Sequence, residues 1–115
     1  MKKFVALFLL LFVLGIFVNT VFAVDTLQEV KKRGVLVGGV KDSSPPFGYI
    51  DEKSRELVGY DIDFLNAIAK KLKVKLELKP VTSASRMPQL IEGNIDIIAA
   101  TMTKTPERAK QIDFS

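Results

Sequence analysis

Arg108 stands among the residues best suited to chemistry, the stretch AATMTKTPERAKQIDFS from Ala99 to Ser115. There the apolar run Ile95–Ala100 ends in two hydroxyl residues, Thr101 and Thr103. Thr105-Pro106-Glu107 then reads as a helix start, with Thr105 as N-cap and Pro106 at the first helical position. Arg108 falls at the third position, where a capping box would carry Glu or Gln. A cation beside free helical N–H groups opposes the dipole by about 0.3 kcal/mol or more. An anion seated there reverses the sign, because the guanidinium and the N–H groups then point at one negative charge. That is the chemistry of a carboxylate site. Surface pairing of Arg108 with Glu107 or Asp113 is the competing use of the same side chain.

Two further cations occupy equivalent places. Lys41 directly follows the run Val35–Val40, and Arg86 follows the run Val74–Leu78 and its stop at Pro80. Either alone reads as a solvated charge. Together with Arg108 at one sheet edge they repel one another unless an anion lies between them. Ser83 and Ser85, in TSASR, offer hydroxyl donors or cap the helix that follows. Phe47, after Pro45-Pro46, offers a ligand an aromatic wall or else covers the core. The hydroxyls of Thr101 and Thr103 equally suit the β-propensity of a strand end.

Catalysis finds little support. There is no histidine and no cysteine, which removes the usual general base, the commonest metal ligand and any disulfide or thiolate metal site. Serine and threonine therefore have no nucleophile–base partner. Asp61 and Asp63 fall at a helix start, where carboxylates complement the dipole. Gly34, Gly38 and Gly39 do not form a phosphate loop. The residues imply no cofactor, no metal and no enzyme activity.

The elements that position these side chains follow from periodicity. Asp25 or Thr26 caps a helix at Leu27–Arg33, and Gly34 ends it. VLVGGV, Val35–Val40, is a buried strand, and Lys41–Tyr49 is a loop whose two prolines forbid helix. Tyr49–Val58 is a hairpin with its tip at Asp51–Arg55. Asp61–Leu72 places Ile62, Leu65, Ile68, Ala69 and Leu72 on one helical face. Val74–Leu78 alternates as a half-exposed strand, Ser85–Glu92 is a short helix closed by Gly93-Asn94, and Ile95–Ala100 is a buried strand. Thr105–Gln111 is a helix, and Ile112–Phe114 begins another strand. The order predicts an α/β domain, a mostly parallel sheet with helices on both faces. Ligands of such sheets bind outside the carboxyl ends of the strands, which collects the loops after Val40, Pro80 and Ala100.

The first residues read differently. Lys2-Lys3, the charge-free run Phe4–Val18 and Val21-Phe22-Ala23 form a secretory signal pattern, with cleavage expected after Ala23 and an uncleaved anchor as the alternative. No cysteine follows for lipid attachment. Residues 24–115 then suffice for one small core. The formal net charge of +4 falls to +2 without Lys2 and Lys3, and the remaining lysines are spread too widely to suggest nucleic acid.

On these residues the chain resembles a family. GYDIDF at Gly59–Phe64 with Ala67-Ile68-Ala69 is similar to the signature of bacterial extracellular solute-binding proteins of family 3, the polar amino acid type serving ABC importers. VLVGGVKDSSPPFGY and VTSASRMPQLIEGNIDIIAATMTKTPERAKQIDFS extend the resemblance over residues 24–115 in order. It implies a type II periplasmic-binding-protein fold, a free amino acid as ligand, a membrane permease as partner, a periplasmic or secreted location and a monomer when complete. It also implies that Arg108 holds the α-carboxylate, that Thr101 and Thr103 assist, and that Phe47 lines the pocket. Many members carry a second aromatic at the position of Ser83. Instead, Thr82–Arg86 with Lys41 resembles the glutamate/aspartate-binding branch, where cations at these positions meet the side-chain carboxylate. The family has two lobes, and residues 24–115 match part of the first. The resemblance therefore implies a half-site that holds anions weakly. Same-fold dehydratases, lytic transglycosylases and sensor receptors are the alternatives, distinguished by residues that these 115 do not include.

Overall fold

The computed structural model describes residues 25–115, so the expected signal segment lies outside the described residues. Asp25 is the residue that caps α1 (Thr26–Arg33), its carboxylate accepting from the N–H groups of Leu27 and Gln28 at 3.1 and 3.4 Å. Gly34 closes the helix in the left-handed region, at φ 74°. The expected strand follows as β1 (Val35–Val40). Three short strands come next: β2 (Ser43–Ser44) inside the proline loop, β3 (Gly48–Ile50) and β4 (Leu57–Val58). They form a separate antiparallel sheet. Its tip is held by the Asp51 carboxylate, which accepts from the N–H groups of Lys53 and Ser54 at 3.1 and 2.7 Å.

The main helix, α2 (Tyr60–Leu72), buries Ile62, Leu65 and Ala69, as its period requires. No side chain caps its first turn. The N–H groups of Tyr60 and Asp61 instead donate to the carbonyls of Pro46 and Phe47 at 3.0 and 2.9 Å, which docks the proline loop on the helix start. β5 (Lys75–Pro80) and β6 (Ile97–Ala99) run parallel to β1 on either side, in the order β5-β1-β6. Val40 pairs with Pro80 on one side and Ala99 on the other, so all three strands end at one edge. Pro80 thus ends its strand, which runs two residues past the expected end at Leu78.

Both sheet faces are covered. Leu36 and Val40 pack against α1 and α2, where Leu65 is fully buried. A leucine withdrawn so completely from water stabilises the fold by about 2–3 kcal/mol. On the other face Val81, Ile95 and Ala100 form a cluster with Val37, Ile98 and Leu90 of α3 (Arg86–Ile91). Asp96 joins the layers at the far end: its carboxylate accepts from the Arg33 guanidinium and, at 2.8 Å, from the N–H of Val37.

Three expectations need correction. The last strand is shorter than Ile95–Ala100, because the Ile95 N–H turns back to the Gln89 carbonyl and Thr101 leaves the ladder at φ 51°. The final helix, α4 (Pro106–Ala109), is also short. Ile112–Phe114 is not a strand. The N–H groups of Gln111 and Ile112 both close a turn on the Arg108 carbonyl, leaving Ile112 no donor for a ladder.

Candidate functional site

The common edge of β5, β1 and β6 brings together the loops that the sequence places there. Lys41 leaves β1 and its ammonium group donates to the Ser83 hydroxyl, beyond β5, at 2.7 Å. That bond joins two residues 42 apart in sequence at the expected position. Thr82 and Ser85 bond reciprocally, each hydroxyl accepting the other's backbone N–H at 2.9–3.0 Å. Ser85 is thus occupied within its own loop, and Ser83 is the hydroxyl left facing Lys41.

Arg86 departs most from a solvated charge. It is only 6% exposed, and one amino group donates to the carbonyls of Ala100 at 2.7 Å and Thr101 at 3.3 Å. Burial, and secondarily the neighbouring Arg108 guanidinium, push its pKa below the ordinary arginine range. The two guanidiniums are therefore close enough to repel. Arg86 shapes the corner at Ala100–Thr101 as well as charging it.

Thr101 and Thr103 lie on that corner and are exposed. The Thr101 hydroxyl donates to the Ala100 carbonyl at 2.8 Å, so its hydrogen is spent on the backbone rather than aimed outward. Thr105 caps α4 as the sequence predicts, its hydroxyl accepting from the Arg108 N–H at 3.3 Å. Arg108 is half-buried, and one amino group donates to the Thr103 carbonyl at 2.7 Å. This bond folds the guanidinium back over the loop that carries the threonines. Among the described residues, none of Lys41, Arg86 or Arg108 is ion-paired; the pair found is Arg33 with Asp96 at the opposite end.

Beside these cations runs an apolar hollow along β6, lined by Phe47, Tyr60, Asp61, Phe64, Thr101 and Thr103 among others. Lys41, Ser83, Arg86 and Arg108 do not line it. Hollow and cations meet at the two threonines. Phe47 stands 45% exposed at its rim, with Tyr60 and Phe64, one turn apart on α2, also exposed. Phe47 therefore does not serve as core cover. The pair Tyr60 and Phe64 escaped the sequence reading, although aromatic residues at i and i+4 on a helix whose other face is apolar are the signal for it.

Asp61 is the other residue that sequence reasoning passed over as a dipole partner. One of its carboxylate oxygens is buried without a hydrogen-bond partner. Burial raises its pKa above the ordinary 3.8, partly offset by the Thr101 N–H. Because the folded value is raised, ionisation opposes folding: the cost is absent well below pH 3.8 and grows as pH rises through the folded pKa. Asp61→Asn, neutral throughout, is expected to melt with the wild type near pH 3 and above it at pH 7. A variant melting lower at pH 7 would show that the dipole and the Thr101 N–H outweigh burial.

The chain has clear relatives. The description "Bacterial extracellular solute-binding proteins, family 3" matches residues 36–115. The glutamine-binding protein of Geobacillus stearothermophilus is 46% identical over 94 residues, 79% of this chain and 36% of that protein. The glutamate/aspartate import solute-binding protein of Escherichia coli is 40% identical over 98 residues, 79% of this chain and 32% of that protein. A solved structure of domain 1 from TmArgBP (T. maritima), in its arginine-bound form, superposes with a TM-score of 0.69 at 38% identity. The match covers 73% of this chain and 64% of that one. The chain spans about a third of the length of the curated relatives it matches.

Proposed function

From the premise that this chain belongs to the bacterial extracellular solute-binding proteins, family 3, we propose that it forms the carboxylate-binding wall of an amino acid site in an ABC importer. The observation that carries this reading is the sheet edge where Lys41, Arg86 and Arg108 gather without an ion-paired acid among the described residues. Arg108 takes the α-carboxylate with its remaining N–H groups, beside the backbone of Thr101–Thr103. Lys41, positioned by Ser83, takes a second anionic group, with Arg86 behind it. Phe47 closes the rim with its ring. The ligand is thus an acidic amino acid, glutamate or aspartate, because three cations are best neutralised by two carboxylates.

The first residues act as a signal that delivers the domain outside the cytoplasm, and a membrane permease receives its ligand. Residues 25–115 form one side of that site and leave it open to solvent. The arginine-bound form of domain 1 from TmArgBP supports ligand binding by a single lobe. Relatives named for glutamine, glutamate/aspartate and cystine share the scaffold, so specificity rests on the few residues at the edge.

Calorimetric titration of the full chain with glutamate, aspartate, glutamine, cystine, arginine and histidine tests the reading. Glutamate or aspartate should bind tightest, at a dissociation constant in the millimolar range. Preference for a basic amino acid would refute the acidic assignment, and micromolar binding would refute the open half-site.

A further inference from the structure

The other end of the sheet carries its own charge. α1 and α2 both finish there, and the N–H of Lys75 donates to the carbonyl of Gly34 at 3.0 Å, stitching the two helix ends together. Six lysines surround this junction: Lys31 and Lys32 on α1, Lys70 and Lys71 on α2, then Lys73 and Lys75. All six are exposed. Each has a local reason to be a lysine. The helical four complement the negative dipole ends, and Lys75 guards an edge strand against pairing. The sequence reads these lysines as spread along the chain; no local reason requires the two helices to end side by side, and that arrangement is what merges the charges into one field.

Among the described residues no acid is ion-paired with these lysines. The nearby acids Glu29 and Glu77 form no ion pair with these lysines, and Asp96 is taken by Arg33. Along β1 the cluster lies at the Val35 end, and the candidate amino acid site lies beyond Val40. At about 3.3 Å per residue the two ends are roughly 16 Å apart. A flat surface can therefore meet one without covering the other.

We propose that this lysine end is a docking surface for an anionic phospholipid bilayer. Lysine ammonium groups are compact, strongly hydrated point charges on flexible stems, suited to headgroups that rearrange beneath them. Arg33, the arginine in the same last turn of α1, is held by Asp96, so the unpaired charges here are ammonium groups rather than the arginine forks and stacked aromatics that grip nucleic acids. Each lysine near an anionic surface adds to the attraction, which falls off within a Debye length and so vanishes in high salt. Docked this way, the domain holds its candidate site away from the lipid and open to solvent. The proposal does not depend on which ligand that site takes.

Co-sedimentation of the full chain with phosphatidylcholine vesicles, with and without phosphatidylglycerol, tests it. The readout is the preference for the anionic vesicles, since the apolar run Phe4–Val18 contributes to both. The wild type should prefer them by about tenfold or more in low salt, and high salt should abolish the preference. Combining Lys70→Gln, Lys71→Gln, Lys73→Gln and Lys75→Gln should remove most of that preference, and Lys31→Gln with Lys32→Gln part of it. Lys53→Gln with Arg55→Gln, on the hairpin, should leave it unchanged. Circular dichroism confirms that each variant is folded, and the two-lysine variant carries the test if the fourfold one is not. Equal binding to both vesicles, a preference that survives the lysine changes, or tighter binding to duplex DNA than to anionic vesicles would overturn the proposal.

Discussion

Arg108→Ala is expected to weaken binding of an amino acid carboxylate by about 100-fold or more, close to 2.7 kcal/mol, while lowering the melting temperature by only about 5 °C. The two effects separate because the side chain is half-buried and its one structural bond, to the Thr103 carbonyl, lies at the surface. Losing such a bond costs about 1 kcal/mol at most. Losing a forked, charge-assisted grip on a carboxylate costs several times more. Arg108→Lys keeps the charge but not the fork and should fall between wild type and alanine. Titration calorimetry of the three proteins with glutamate, beside their thermal melts, measures both quantities. A loss of stability as large as the loss of binding would make Arg108 a structural residue.

Gly59→Ala carries the largest expected effect on the fold. The residue sits at φ 131°, and a Cβ there would lie 2.3 Å from the Phe47 carbonyl oxygen and 2.9 Å from that of Pro46. Those same carbonyls accept the first N–H groups of α2. A methyl group therefore forces the proline loop off the helix start, stranding two donors and moving Phe47. The expected cost is about 2–4 kcal/mol, or roughly 10–20 °C in melting temperature for a domain of this size. Gly34→Ala is the control, because its φ of 74° is also positive but no atom lies within 4 Å of the added Cβ. It should cost only about 1 kcal/mol of backbone strain. Urea unfolding followed by circular dichroism ranks the two; equal costs would mean that the carbonyl contact is relieved without loss.

The same contrast shows what a reader of residues alone recovers. Glycine after a basic last turn identifies Gly34 as a helix stop before any coordinates are seen. Nothing local tells that the carbonyls of Pro46 and Phe47 cap α2 in place of a side chain. The parallel sheet and its ligand edge follow from the alternation of apolar strands and amphipathic helices, so Lys41, Ser83 and Arg108 were legible. The Lys41–Ser83 bond shows that the loops after Val40 and Pro80 meet at one edge. Arg86 was legible as a cation but not as a buried one, because its burial depends on the carbonyls of Ala100 and Thr101 turning toward it. Asp61 reads as a dipole partner for the same reason: its burial comes with the Thr101 corner beside it and not from its own residue type. Ile112–Phe114 looked like a strand by composition, but a strand needs a donor that the turn on Arg108 had already used.

The central claim, that this edge binds an amino acid through its α-carboxylate, is tested most directly by residue-resolved NMR titration. Backbone amide shifts of the full chain are followed with L-glutamate and with γ-aminobutyrate, which has the same chain without the α-carboxylate. Glutamate should produce saturable shifts at Lys41, Ser83, Thr101–Thr103 and Arg108, and γ-aminobutyrate should leave the Arg108 and Thr103 amides unmoved. Equal responses to the two compounds, or no saturable shift at this edge, would contradict the account.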